Sequence, residues 1–430
     1  MGRQRLTQSG HAAFIFLCKV PLTRNPGYNL LPGRKRHRGK AMNITRHFAA
    51  GLISALIATP CFAQQQTVKI GLLVPLTGPF TPTGKQLTAG ARLYMQQNGD
   101  TVAGKKIELI VKDDTGNADM TKRLAQELVV NDKVSFLAGF GLTPGALATA
   151  PIATEAKIPE VVMMAATSII TERSPYIVRT SFSVPQTTVP LADWAAANGI
   201  KTVVTVVSDY APGIDVETAF KRRFEAAGGK VIESLRVPLS SNDFAPALQR
   251  VADAKPDALM GFVPAGVGPI FIRQFVERGL NKSGIRFIAE GSLTEDDVVN
   301  QIGDAALGII TSQHYSAAHN SPENKSFVAA FKKANGGMRP NLMAVQSYDG
   351  MHLIYEALKK TKGSTDGDAV VAAMKGMSWI SPRGPMTIDP ETREVIQNIY
   401  IRKVERVDGE LYNVEFATIP DFKDPSKVKN

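Results

Sequence analysis

Two short stretches combine residue types able to hold a small anion. Gly139-Phe140-Gly141-Leu142-Thr143-Pro144-Gly145 follows the apolar run Ser135–Ala138, and Ala165-Ala166-Thr167-Ser168 follows the apolar run Ile158–Met163. Small residues let main-chain N–H groups approach a ligand, and a helix that starts at such a loop favours negative charge there. An alanine-rich helical pattern, Ala146–Ala156, lies between the two, its start marked by Thr143 and Pro144. The segment therefore reads as one strand–loop–helix unit met twice.

Other chemistries find less support. The glycines at 139, 141 and 145 resemble a dinucleotide fingerprint, but the spacing is one residue too long. Glu160 also opens its strand, where a ribose-binding acid would close it. No Gly-x-Ser-x-Gly elbow appears, and beyond residue 63 the only histidines are His314, His319 and His352. His314 and His319, five apart without a third ligand at metal spacing, are expected to be solvated surface residues. Asp113-Asp114 at a strand end are expected to serve as helix caps, and Glu295-Asp296-Asp297 as the acidic first turn of a helix. No catalytic residue, metal or cofactor is expected. The chain reads as a binding protein and not an enzyme.

The elements that position these loops alternate. Val68–Pro75 is a buried-strand run ending in Leu76-Thr77-Gly78-Pro79, and from Gly84 a helix puts Leu87, Ala91, Tyr94 and Met95 on one face. Strand Lys106–Lys112 and helix Met120–Asn131 follow, and then the two units above. Runs of apolar residues alternating with helices imply parallel strands joined by crossovers, with ligand-binding loops along one edge. At Arg179-Thr180-Ser181-Phe182 the pattern restarts. Helix Thr187–Asn198, strand Lys201–Ser208, helix Val216–Ala227, strand Lys230–Pro238, helix Phe244–Ala254, strand Asp257–Val263 and strand Ile285–Ala289 make a second layer. Helical patterns return at Asn324–Ala334, Leu342–Lys360 and Asp368–Met374. Antiparallel strands Gly384–Ile388 and Val395–Val407 follow, with turns at Asp389-Pro390 and Asp408-Gly409. Two such layers imply two lobes with a cleft between them.

The net charge of +11 over 430 residues suggests a polyanion partner until it is located. Residues 1–63 hold ten of the fifty Lys and Arg and no Asp or Glu, which leaves forty basic against 39 acidic residues in 64–430. The body is near neutral, so nucleic acid is not an expected partner. Met42 opens a secretory signal: Arg46 and His47, the eleven-residue run Phe48–Ala58, then Thr-Pro-Cys-Phe-Ala with cleavage expected after Ala63. A lipoprotein signal at Cys61 fits less well, because Ala58 and Pro60 stand where a large aliphatic and a small residue belong. Residues 1–41 carry no such pattern and are expected to reflect an upstream start. Both cysteines, Cys18 and Cys61, lie in this leader, so structural disulfides and thiolate chemistry are excluded from the mature chain.

The stretches VKIGLLVPLTGPFTPTGKQLTAGARLYMQQNG, IELIVKDDTGN, MMAATS, RTSFS and AALGIITSQHYS, in that order, resemble the periplasmic solute-binding proteins of branched-chain amino acid ABC importers. The likeness runs from about Thr67 to Val414. It implies an α/β chain of two doubly wound, Rossmann-like lobes joined by a three-crossover hinge, the type I or Venus-flytrap fold. Lobe 1 is expected over 64–182 and 314–397, and lobe 2 over 183–313 and 398–430, with crossings near Phe182, Gln313 and Asn398. The implied function is capture of a small carboxylate-bearing solute in the periplasm. Delivery to an inner-membrane permease of two permease and two ATPase subunits follows, by a receptor expected to be monomeric. The alternative is a sensor of the same fold that signals instead of delivering.

By the same resemblance, lobe 1 supplies Phe80, Thr83, Gly141, Leu142, Thr143, Ala165, Ala166 and Thr167, the last two loops holding the ligand carboxylate. Lobe 2 supplies Tyr210, Pro212, Pro264, Ala265 and Glu290, with Glu290 matching the glutamate that holds an ammonium. The sequence departs from the amino-acid-binding members in several places. Their tyrosines fall at Thr83, Pro212 and Pro264 here, a serine cluster near Phe140–Thr143 is missing, and a lobe-1 disulfide cannot form. Loss of hydroxyl donors beside a retained carboxylate loop points to a ligand less polar than leucine, such as an aromatic or aliphatic acid.

Overall fold

The computed structural model describes residues 66–264 and 266–428. The leader, with Cys61 and Ala63, lies outside the described residues, as does Ala265. The first layer runs β1 (Thr67–Val74), α1 (Thr81–Asn98), β2 (Thr101–Val102), β3 (Lys105–Asp113), α2 (Ala118–Val130), β4 (Phe136–Gly139), α3 (Thr143–Ala156), β5 (Glu160–Val162) and β6 (Ile177–Arg179). Its strand order is β2-β3-β1-β4-β5-β6, parallel except for the β2–β3 hairpin. Ile70, Leu72, Phe136, Leu137 and Val161 are wholly buried, as a parallel sheet covered on both faces requires.

The second layer follows as α4 (Val184–Ala197), β7 (Thr202–Ser208), α5 (Ala211–Ala226), β8 (Lys230–Val237), α6 (Ala245–Ala254) and β9 (Ala258–Phe262). It continues through α7 (Gly268–Glu277), β10 (Arg286–Glu290), the short α8 (Val299–Ile302) and β11 (Ile310–Gln313). Three helices then return: α9 (Pro322–Ala334), α10 (Leu342–Lys360) and α11 (Gly367–Met374). The chain closes with β12 (Ser378–Ser381), β13 (Gly384–Ile388), β14 (Val395–Val407) and β15 (Glu410–Phe422). The second sheet runs β12-β13-β14-β11-β10-β9-β7-β8, with β15 paired to β14. Parallel pairing gives way to antiparallel at β11–β14, so this sheet is mixed. The β14–β15 hairpin turns at Asp408 and Gly409, both with positive φ (49° and 85°), as a tight primed turn demands.

The stretch 314–397 divides its contacts. Helix α10 packs along α1 beside the first sheet, while β12 and β13 pair through β14 into the second. The two layers form the expected α/β, two-lobed fold. Among the described residues no helix is long and apolar enough to cross a membrane.

The helices that face the cleft start earlier than the sequence pattern suggested. Helix α1 begins at Thr81 and not Gly84, and α5 at Ala211 and not Val216, each with Pro in its first turn. A Cβ on Gly84 would lie 1.9 Å from the Pro75 carbonyl oxygen, and one on Gly213 would lie 1.9 Å from that of Ser208. Glycine at these two positions lets the first helical turn rest directly on the end of the preceding strand.

Candidate functional site

Those early helix starts build the cleft. Leu142, the residue before α3, is extended (φ −132°, ψ 144°), and no side chain caps the helix start. Phe80 before α1 and Tyr210 before α5 likewise leave their helix starts without a side-chain cap. The unpaired N–H groups of a helix start carry partial positive charge, so uncapped ends at one cleft favour an anion.

The lobe-1 loops are fixed to each other. Asp113 accepts from the Leu76 N–H at 2.8 Å and the Thr77 hydroxyl at 2.7 Å, holding the loop after β1. Asp114 accepts from the Gly116 N–H and the Thr121 hydroxyl, both at 3.0 Å. The cap of α2 is Asn117, so the paired acids fasten loops instead of capping a helix. The Ala165 N–H donates to the Phe140 carbonyl at 2.9 Å, linking the two small-residue loops.

Between the lobes lies a cleft of about 90 Å³. Of the residues singled out in the sequence, Phe80, Thr83, Gly141, Leu142, Thr143, Ala165, Ala166, Tyr210, Pro212 and Pro264 line it. Two others stand elsewhere. Thr167 is buried beside the wall, its hydroxyl 3.1 Å from that of Thr143. Glu290 is wholly buried at the end of β10 and does not line the cleft. Its carboxylate accepts from the Ser292 N–H at 2.9 Å and from Gln313 Nε2 at 2.5 Å. Burial raises its proton affinity, partly offset by those bonds and by the nearby Arg402 guanidinium.

The sequence reading missed much of the apolar wall, notably Met164, Phe182, Phe262 and Met343. Tyr210 stacks on Phe262 with ring centres 6.1 Å apart and planes 14° from parallel. The reading also missed Asp297 and Asn341. Glu295 and Asp296 are 2% exposed, and α8 starts only at Val299, so the acidic run is not a solvated first turn. Asp296 accepts from the Ala317 N–H and from Asn413, while Asp297 reaches across the cleft. Its two oxygens accept from Asn341 Nδ2 at 2.9 Å and Gln86 Nε2 at 3.2 Å. Burial pushes the Asp297 carboxyl above its ordinary range. Among the described lining residues there is no Lys, Arg or His, and Asp297 is the only carboxylate.

His314 also departs from expectation, being fully buried where the chain crosses between layers. Its Nδ1 lies 2.5 Å from Gln313 Oε1, its Nε2 is 3.1 Å from Gln346 Nε2, and its ring packs 5.2 Å from Phe182. Burial and the Arg383 and Arg402 charges hold its pKa well below the usual value, so it is a neutral packing residue. Arg179, fully buried, donates to the carbonyls of Phe182 (2.8 Å) and Thr167 (2.6 Å). His319 pairs with Glu415 at 2.7 Å, and among the described residues no group of acids and histidines is arranged to hold a metal.

A family model described as periplasmic binding protein matches residues 67–410. An ABC transporter solute-binding protein from Rhodopseudomonas palustris BisB5, solved with 3,4-dihydroxybenzoic acid, is 62% identical with a TM-score of 0.83, covering 84% of this chain and 99% of that one. Another from R. palustris, solved with 4-hydroxybenzoate, is 42% identical with a TM-score of 0.82, covering 85% and 100%. A Leu/Ile/Val-binding protein homologue of Brucella melitensis is 44% identical over 378 residues, 87% of this chain and 96% of the relative.

Proposed function

The chain belongs to the periplasmic binding protein family, and from that premise we propose that it is the receptor of an ABC importer for aromatic carboxylic acids. One observation carries the choice of ligand: the cleft offers an apolar, aromatic slot and uncapped helix starts for a carboxylate, while Glu290 is withdrawn from it and the one carboxylate among its described lining residues, Asp297, already takes an amide N–H on each oxygen. Phe80, Phe182, Tyr210 and Phe262 supply flat surfaces for a ring. Glu290, which would hold an amino group, is engaged inside its own lobe. The aromatic acids bound by the R. palustris proteins support the same reading.

The carboxylate lies against the loops at Leu142–Thr143 and Ala165–Ala166, with the Thr143 hydroxyl donating. The ring lies between the walls of the two lobes. Closure brings Asn341 and Gln86 onto Asp297 and places Arg339 against Glu410 at 2.7 Å. A ligand that touches both walls favours that state, and the permease meets a closed shape. The lobes divide near 182/183 and 313/314 and again ahead of β12, whose hairpin with β13 joins the second sheet, so the network around Arg179 and His314 is the hinge. The protein is exported with cleavage after Ala63 and works with two permease and two ATPase subunits.

Calorimetric titration of the purified protein with benzoate-type acids, aliphatic acids and leucine tests this reading. Saturable binding of an aromatic acid, with leucine inert, is expected. Tight leucine binding with aromatic acids inert would reverse it.

A further inference from the structure

We propose that Asp297 is the residue that reads a hydroxyl group on the ring of the bound acid, so that the receptor selects hydroxylated benzoates over benzoate itself. This rests on the aromatic-acid reading above and goes on to assign the specificity of that site.

A carboxylate in an otherwise apolar cleft is costly unless it has partners. Asp297 has two, one amide N–H on each oxygen, from Asn341 at 2.9 Å and Gln86 at 3.2 Å. A carboxylate has about four acceptor positions, so acceptor capacity remains on a group that lines the cleft. The ligand's own carboxylate would be repelled there, and an aromatic C–H would leave that capacity unused. A phenolic O–H, a neutral donor at the far end of a benzoate ring, satisfies it.

The placement of the two polar ends agrees. Asp297 is held from α1, by Gln86, and from the start of α10, by Asn341, two helices packed along each other. The carboxylate loop at Thr143 starts α3, which packs on α2. In a doubly wound layer these helix pairs cover opposite faces of the sheet, so a ligand in the cleft presents one end to each pair. The Asn341 side chain is itself fixed, accepting from the Met343 N–H (2.9 Å) and Ala344 N–H (3.3 Å) at the start of α10. In the closed cleft Asp297 is therefore held in one position against the ligand.

The experiment is a calorimetric titration of the wild-type protein and of Asp297→Asn with benzoate, para-hydroxybenzoate, para-methoxybenzoate and leucine. Wild type should bind para-hydroxybenzoate roughly tenfold to a hundredfold more tightly than benzoate or the methoxy analogue. Asp297→Asn should reduce that ratio to about threefold or less. Equal wild-type affinities for benzoate and para-hydroxybenzoate would overturn the assignment without any variant. So would an Asp297→Asn protein that weakens both ligands equally, because Asp297 would then only latch the lobes. Those outcomes leave the aromatic-acid reading standing, whereas binding of leucine and of no aromatic acid would remove both.

Discussion

Glu290 and Gln313 bond to each other inside the second lobe, Oε1 to Nε2 at 2.5 Å, and this takes the glutamate away from the cleft. Gln313 Oε1 in turn accepts from the His314 backbone N–H at 2.9 Å, so the amide cannot turn over without losing a partner. Glu290→Gln would set two amide groups against each other in a buried place. Stability should fall by about 1–3 kcal/mol, the cost of an unpaired buried donor. Affinity for an aromatic acid should stay within about threefold. Urea unfolding and calorimetric titration check the two halves, and a large loss of affinity in a fully folded variant would put Glu290 back in the site.

Thr143 is the hydroxyl residue in the small-residue loop that lines the cleft, and Thr167 is its neighbour at 3.1 Å. A hydrogen bond to a charged ligand contributes about 1.5–3 kcal/mol. Thr143→Val should therefore weaken binding of an aromatic carboxylate tenfold or more. Thr167→Val should cost less, since it only orients Thr143. Titration that ranked the two variants in the opposite order would move the carboxylate contact to Thr167.

The difference between these two threonines shows what a sequence can and cannot carry. Strands such as Thr67–Val74 and Thr202–Ser208 are legible because a sheet buried on both faces leaves an unbroken apolar run. The helix starts at Thr81-Pro82 and Ala211-Pro212 are not legible, because Pro and Gly read as loop. Proline in the first turn loses no intrahelical bond, and so it can sit within the helix. The three-residue strand Ile177–Arg179 is too short to have a period. The loops after the strands were found as cleft lining, but Asn341 and Asp297, 44 positions apart, meet only through folding. An acidic run normally marks a solvated turn. Here Arg402, Arg339 and Asn413 surround Asp296 in the interior, and no local pattern records such partners.

At the proposed hinge, Arg179 Nε lies 3.0 Å from Glu394 Oε2, with both side chains at most 2% exposed. The other Glu394 oxygen accepts from the Thr171 hydroxyl and from Lys427 Nζ, both at 2.7 Å. Removing one member of a buried pair leaves the other charge uncompensated, which costs about 3–5 kcal/mol. Glu394→Ala should thus destabilise strongly, and Glu394→Gln, which keeps an acceptor for Thr171, should do so less. Melting curves without ligand give the comparison. Equal melting temperatures for wild type and Glu394→Ala would mean that the pair does not hold the crossing segments together.

Glu160, the first residue of β5, is wholly buried, and among the described residues no ion pair and no well-formed hydrogen bond satisfies its carboxyl, the Thr149 hydroxyl offsetting the burial only in part. Burial pushes its carboxyl up to about 8 from 4.5. Below pH 4.5 the group is protonated in both the folded and the unfolded chain and has no effect on the balance. As the pH rises toward 8, the unfolded chain loses this proton while the folded chain keeps it. Stability therefore falls with rising pH through that window, by up to about 1.4 kcal/mol per unit. Glu160→Gln mimics the neutral acid and removes the dependence. Its melting temperature should match that of the wild type near pH 4 and exceed it increasingly above pH 6. A gap between the two proteins that stays constant across the whole range would show that Glu160 does not remain protonated in the fold.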